Sequence, residues 1–203
     1  MPTPEQIVSH DAAPPPPGAS PWVQGAAPQV GISIADPDPA WTEWYAVLAD
    51  RVRGALGWRV LALDHVGSTS VPGLPAKPIV DVDLVVADPA DEAAYVPALE
   101  AAGFVLRVRE PWWWEHRLLR HEQPCCNLHV FGPDAPEPWR NRLFRDWLAG
   151  NPDDLALYRE TKLAAAEAAN AAGEHVMEYN ARKARVIREI YDRAFRAAGL
   201  LSG

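Results

Sequence analysis

Asp81 and Asp83 stand two residues apart in Ile79-Val80-Asp81-Val82-Asp83-Leu84-Val85-Val86, a run that is otherwise apolar. Side chains on a strand alternate faces with period two, so both carboxylates project from one side while Val80 and Val82 point to the other. Two aligned carboxylates can hold a hard divalent cation, Mg²⁺ or Mn²⁺, which prefers oxygen ligands and often keeps several waters. Burying two like charges without a counter-ion is costly, and a metal or a cationic side chain is the usual remedy. The competing reading is a structural acidic pair.

A turn with its own chemistry precedes this strand. In His65-Val66-Gly67-Ser68-Thr69-Ser70, Gly67 leaves backbone amides unobstructed and three hydroxyl donors follow it at once. Convergent amides of that kind can cradle an anion, so Gly67, Ser68 and Thr69 are candidate phosphate contacts. The spacing is not that of a Walker A loop. A Ser/Thr-capped turn with no ligand uses the same residues. Pro72, Pro75 and Pro78 stiffen the connection to the strand, and Lys77 within it is placed to meet a phosphate or to neutralise the carboxylates. His65 can hydrogen-bond locally, act as a base or contact substrate.

Further candidates come later in the chain. Asn127-Leu128-His129-Val130-Phe131 alternates as the acidic strand does, so Asn127 and His129 share a face; beside Asp81 and Asp83, His129 would reach the same cleft. Arg117 and Arg120 could bind phosphate bidentately, and Lys162, four residues after Tyr158 on one helix face, could add a point charge. Trp112, Trp113 and Trp114 cannot all occupy one regular face, which makes at least one of them a lid or base-stacking candidate, against a reading of core packing and loop exposure.

The elements that position these groups alternate between strand and helix. Residues 60–65, 79–86, 104–109, 115–121 and 127–131 read as strands, with 30–34 as a further short one. Residues 40–56, preceded by Asp38-Pro39, and 90–102, 138–148, 152–171 and 175–198 carry helical periodicity. Within 175–198, Tyr179, Lys183, Val186, Ile187 and Ile190 recur at helical intervals and read as a packed face needing no ligand. The result is an α/β (α+β) chain, a mixed sheet flanked by helices with a helical C-terminal part. Residues 1–29, rich in Pro, Ala and Gly, read as a flexible arm, 30–198 as a single domain and 199–203 as a tail.

Composition removes several functional classes. With 203 residues and 48% hydrophobic content the chain can bury a sizeable core. A formal net charge of -8 disfavours extended nucleic-acid binding, which requires concentrated Lys and Arg. No stretch is apolar enough to span a bilayer, no signal sequence opens the chain, and Cys125 and Cys126 are adjacent, so no disulfide framework forms and a cytoplasmic location is expected. Oligomeric state is not legible.

The run from His65 to Asp83, HVGSTSVPGLPAKPIVDVD, resembles the signature of the GrpB family. The likeness extends through Leu128-His129-Val130-Phe131, Phe144-Arg145-Asp146-Trp147-Leu148, Tyr158-Arg159-Glu160-Thr161-Lys162 and Tyr179-Asn180-Ala181-Arg182-Lys183, over about residues 30–195. That family is similar to the nucleotidyltransferase superfamily, and some members are fused to dephospho-coenzyme A kinase. The resemblance implies a nucleotidyltransferase-like fold, with Gly67-Ser68 on nucleotide phosphates and Asp81 and Asp83 on a divalent metal. A third carboxylate is common on a later strand, where this chain has Asn127 and His129. The implied activity is metal-dependent transfer of a nucleotidyl group from a nucleoside triphosphate to a small molecule or an acceptor protein. The alternative is a non-catalytic nucleotide- or phosphometabolite-binding module associated with coenzyme A metabolism.

Overall fold

The computed structural model describes residues 1–10, 13–23, 25–27 and 30–201. Helix α1 (Pro4–Val8) comes first, followed by α2 (Ala40–Leu56), which starts where the Asp38 carboxylate accepts the Ala40 N–H at 2.8 Å. Strand β1 (Ala62–Val66) leads through a single 3₁₀ turn (Ser68–Ser70) to β2 (Val80–Val85). Next are α3 (Val96–Ala101), β3 (Val105–Glu110), β4 (His116–His121) and β5 (Cys126–Phe131). Three helices close the chain: α4 (Glu137–Gly150), α5 (Pro152–Ala171) and α6 (Val176–Ala197).

The five strands form one mixed sheet in the order β1-β2-β5-β4-β3, in which only β2 and β5 are parallel. Its two faces differ in chemistry. Val80, Val82 and Leu84 of β2 and Cys126, Leu128 and Val130 of β5 are buried against Leu48, Val52 and Leu56 of α2 and Leu99 of α3. The opposite face carries the polar residues of the same strands and looks toward α4, α5 and α6. Those helices pack among themselves and onto the turn after β1: Val71 and Leu74 meet Leu148, Tyr158, Val186 and Ile190. The expected α/β organisation with a helical C-terminal part is the observed one.

Some elements depart from the sequence-based expectations. Residues 30–34 do not join the sheet, because the Asn170 side chain takes the part of a neighbouring strand, accepting the Ile32 N–H and donating to the Ile32 carbonyl, each at 2.8 Å. Ile32 then packs on Ala165, Ala166, Ala169 and Tyr179. The helix expected over 90–102 is split into a 3₁₀ turn at Glu92–Ala94 and α3, since Pro97 has no N–H and is accommodated only in a first turn.

The arm expected to be flexible contains α1, closed by a capping box in which Thr3 and Gln6 each accept from the other's backbone, and Ile7 packs on Tyr191 and Phe195. Further on, Val23 donates to the Arg107 carbonyl and Arg109 to the Pro21 carbonyl, each at 2.9 Å, so this stretch lies along β3. The parts of the arm and tail expectations that fall on residues 11, 12, 24, 28, 29, 202 and 203 lie outside the described residues. No helix among the described residues is long and apolar enough to cross a membrane.

Asp154 ties the helical layer together. Its carboxylate accepts from both Arg193 Nη2 (2.6 Å) and Nε (2.9 Å) and from Trp147 Nε1 (2.6 Å), linking α4, α5 and α6. The Arg193 guanidinium holds the carboxyl below its ordinary value. A depressed folded-state pKa gives stability that is fully present above the unfolded value of about 3.9 and is lost as pH falls through the folded one. Asp154→Asn should lower the unfolding free energy at neutral pH by about 2 kcal/mol. Urea titrations should show that difference shrinking below about pH 4.

Candidate functional site

The polar face of the sheet forms the floor of a cleft of about 910 Å³ roofed by α4, α5 and α6. Register decides which side chains reach it. Asp81 is paired with Asn127 and Asp83 with His129 across the parallel β2–β5 ladder, and His129 lies opposite Leu118 on β4. Because β2 is buried on its other side, its pleat leaves both carboxylates facing the helices.

The carboxylates occupy different environments. Asp81 Oδ1 accepts from Asn127 Nδ2 at 2.9 Å and lies 3.8 Å from His129 Nε2. Burial acts to raise this carboxyl, but His129, Asn127 and Lys77 together outweigh it and hold it below the ordinary value. Asp83 is 1% exposed; its Oδ2 accepts from Asn141 Nδ2 of α4 at 2.8 Å, and its Oδ1 has no hydrogen-bond partner among the described residues. Burial pushes Asp83 up to about 6. An orphaned carboxylate oxygen beside a second carboxylate on the same strand face fits a Mg²⁺ or Mn²⁺ ion held by one or two protein carboxylates, with water and phosphate completing the shell. Among the described residues no three His, Cys, Asp or Glu side chains converge as a metal cage, so the donors fit that open mode and not a closed site.

His129 belongs to a row that crosses the sheet. Its Nδ1 is 3.0 Å from His116 Nε2, and His116 Nδ1 is 2.7 Å from Glu110 Oε2. Burial lowers His116 to about 4, which makes it neutral; burial acts the same way on His129, yet Asp81 and Asp83 overcome it and leave His129 raised. Neutral His116 can then donate from Nδ1 to Glu110 and accept at Nε2 from His129, whose own Nε2–H faces Asp81.

Gly67 brings the turn against the acids. Its φ of +67° and ψ of −168° lie in a region that essentially only glycine occupies, and a methyl group there would stand 2.4 Å from Asp81 Oδ2. Gly67, Ser68, Lys77, Asp81, His129 and Lys162 all border the cleft; Asp83 does not, being buried beneath it and bonded to Asn141, which does. Lys162 is 2% exposed, with its Nζ 5.4 Å from the centre of the Tyr158 ring.

Three expected contacts lie elsewhere. His65 is on the opposite parity of β1, stacked 4.8 Å from Tyr45 of α2, with Nε2 3.0 Å from Thr69 Oγ1; burial lowers it to about 4. Thr69 in turn donates to the Ile79 carbonyl, so both residues brace the turn from behind and neither borders the cleft. Arg117 is 5% exposed on the α3 side, bonded through Nε to Glu92 at 2.7 Å and through Nη1 to Glu115, whereas Arg120, of the other parity on β4, faces the cleft. Of the tryptophans, Trp113 borders the cleft with its ring 4.8 Å from His116 and 5.8 Å from Phe131, while Trp114 is outward at 36% exposure. Lys183, read from sequence as part of a packed face, also opens into the cleft. The signal that finds it is a lysine in an otherwise apolar helical stripe.

Comparisons with known proteins bear on the family and the fold. The family described as GrpB protein matches residues 31–193. A UPF0157 protein of Halalkalibacterium halodurans is 44% identical over 163 residues, covering 80% of this chain and 82% of that relative. A dephospho-CoA kinase of Mycolicibacterium paratuberculosis is 28% identical over 190 residues, covering 81% of this chain but only 46% of the kinase. The crystal structure of conserved protein GrpB from Enterococcus faecalis superposes with a TM-score of 0.71 at 26% identity, covering 82% of this chain and 99% of the other.

Gly67→Ala should cost about 1–3 kcal/mol of unfolding free energy through backbone strain and displacement of the Asp81 carboxylate. Gly73 has a similar φ of +77° but open space around it, so Gly73→Ala should cost distinctly less. Denaturant titration of both variants gives the comparison, and equal losses would remove the Gly67–Asp81 contact as the cause.

Proposed function

Because this chain belongs to the GrpB family and has its nucleotidyltransferase-like fold, we propose that it transfers a nucleotidyl group from a nucleoside triphosphate to a small-molecule or protein acceptor. The observation that carries this reading is the approach of Gly67 to Asp81, which puts an amide-lined turn and a carboxylate strand at one point of one cleft. Asp81 and Asp83 would hold the divalent cation. Such a cation neutralises triphosphate charge and polarises the reacting phosphoryl group.

The chain's own groups supply the rest. Backbone amides at Gly67 and Ser68 and the Ser68 hydroxyl receive phosphate oxygens, and Lys77 opposes their charge. His129, fixed through His116 and Glu110, orients the acceptor beside the acids. The acceptor hydroxyl or amine attacks the α-phosphorus. Its new bond to phosphorus forms as the bond to the β-phosphate oxygen breaks, pyrophosphate leaves, and the acceptor proton passes to solvent at the cleft mouth. The helical roof limits water access and so favours the acceptor over hydrolysis.

A second reading is a module that binds a nucleotide or phosphometabolite without turnover, associated with coenzyme A metabolism. The presence of Asn127 and His129 on the strand beside Asp81 and Asp83, with no group of three potential metal ligands among the described residues, favours it, as does the similarity to a dephospho-CoA kinase that extends well beyond the shared region.

Pyrophosphate release and nucleotidylated product should be followed with Mg²⁺ across a panel of small acceptors and proteins. Transfer predicts product from the native chain and losses of about 100-fold or more in Asp81→Ala and Asp83→Ala. Tight nucleotide binding with no product from any acceptor would replace transfer by the module reading.

A further inference from the structure

Opposite the acidic pair, on the helical side of the cleft, three lysines meet without a carboxylate of their own. Lys77 comes from the connection before β2, Lys162 from α5 and Lys183 from α6. Lys162 is 2% and Lys183 7% exposed, and none of the three ammonium groups makes an ion pair or a hydrogen bond with a described residue. Their nearest partners are aromatic faces. Lys183 Nζ lies 3.9 Å and Lys77 Nζ 5.9 Å from the centre of the Tyr179 ring, so two ammonium groups share one phenol, and Lys162 sits over Tyr158.

Such a cluster is unfavourable when empty. An isolated buried ammonium carries a large desolvation cost, and three of them repel one another. Burial lowers Lys162 and Lys183 to about 7 each, and Lys77 in the same direction; Asp81 is the carboxylate that acts against this on all three. Asp81 is already engaged by Asn127 and His129. A group with several negative charges would relieve all three lysines at once. Ammonium groups spread around a volume act as point charges and suit a chain of phosphates, whereas a planar carboxylate is better met by a guanidinium fork.

We infer that Lys77, Lys162 and Lys183 form a polyphosphate subsite that takes the β- and γ-phosphates of a nucleoside triphosphate from the helical side, opposite the Gly67-Ser68 turn. This rests on the transferase reading for the identity of the ligand, but it assigns α5 and α6 a binding role independent of the metal and of turnover. The helical layer is then the wall that carries the cationic half of the site.

Isothermal titration of the full chain with inorganic tripolyphosphate, in EDTA and without acceptor, tests the cluster directly. The native chain should bind it, ATP should also bind, and AMP should be weaker by about tenfold or more. Lys162→Met and Lys183→Met should each weaken tripolyphosphate by about tenfold or more, while Arg185→Met, which removes an exposed charge on α6, should leave it unchanged. Both lysine variants should also raise the melting temperature, since each removes an unpaired buried charge; weaker binding with greater stability is a combination that misfolding cannot produce.

The inference is overturned if the native chain does not bind tripolyphosphate, if the lysine variants bind it as well as the native chain, or if weaker binding comes with a lower melting temperature. Binding lost in both variants, with no pyrophosphate released under any condition, would keep the subsite and remove the transferase reading. Product formation unaltered in Lys162→Met and Lys183→Met would do the reverse.

Discussion

Alternation along β2 sends Val80, Val82 and Leu84 into the packed layer formed with α2 and α3, and the same pleat forces Asp81 and Asp83 to the other side. Neither half of that arrangement can change alone. A slip of one residue would bury two carboxylates among Leu48, Val52 and Leu56 and expose the valines, so the hydrophobic face fixes the register of the chemical one. The parallel pairing of β2 with β5 follows the same parity and places Asn127 and His129 beside the acids. From β5 the row continues through His116 to Glu110, each on the same face of its strand. The floor of the site is thus a consequence of core packing on the reverse of the sheet.

Electrostatics divide the cleft along its depth. One carboxylate is held low by a histidine, an asparagine and a lysine, and its neighbour two residues on is pushed up by burial with one oxygen unpaired. Pairs of titratable groups driven apart in this way are typical of sites with divided roles. Across the gap, lysines from two helices stand under tyrosine rings with no ion-pair partner among the described residues. The Asp81 carboxylate and the three lysines border one cleft, and Asp81 answers their charge only in part.

Much of this was legible in the sequence. The extent of α5 and the positions of β2 and β5 follow from periodicity, and the acidic pair announces itself by interrupting an apolar run. Strand order was not legible, because β2 and β5 are separated by one helix and two further strands, and such pairing is set by tertiary packing. Parity along single strands accounts for His65 and Arg117: on β1, Val66 and not His65 shares the cleft face, and on β4 Arg120 and His116 do so while Arg117 does not. Lys183 was absorbed into a helical stripe whose remaining members are packed side chains, since hydrophobic periodicity weights a buried lysine no differently from a surface one. Asn170, standing in for a strand at Ile32, left no periodic signature.

The pairing of residues 21–23 with β3 has a consequence for the molecule's behaviour toward its own copies. β3 is the last strand of the sheet, and an uncovered edge presents free N–H and C=O groups that can recruit another chain. Here Val23 and Pro21 occupy those groups at Arg107 and Arg109, ahead of the stretch matched by the family, which begins at residue 31. Residues 21–23 therefore act as a selvedge: they finish the fabric of the sheet along β3, where an open edge could otherwise pair with another chain, and a fragment trimmed to the family boundary would lose that finish.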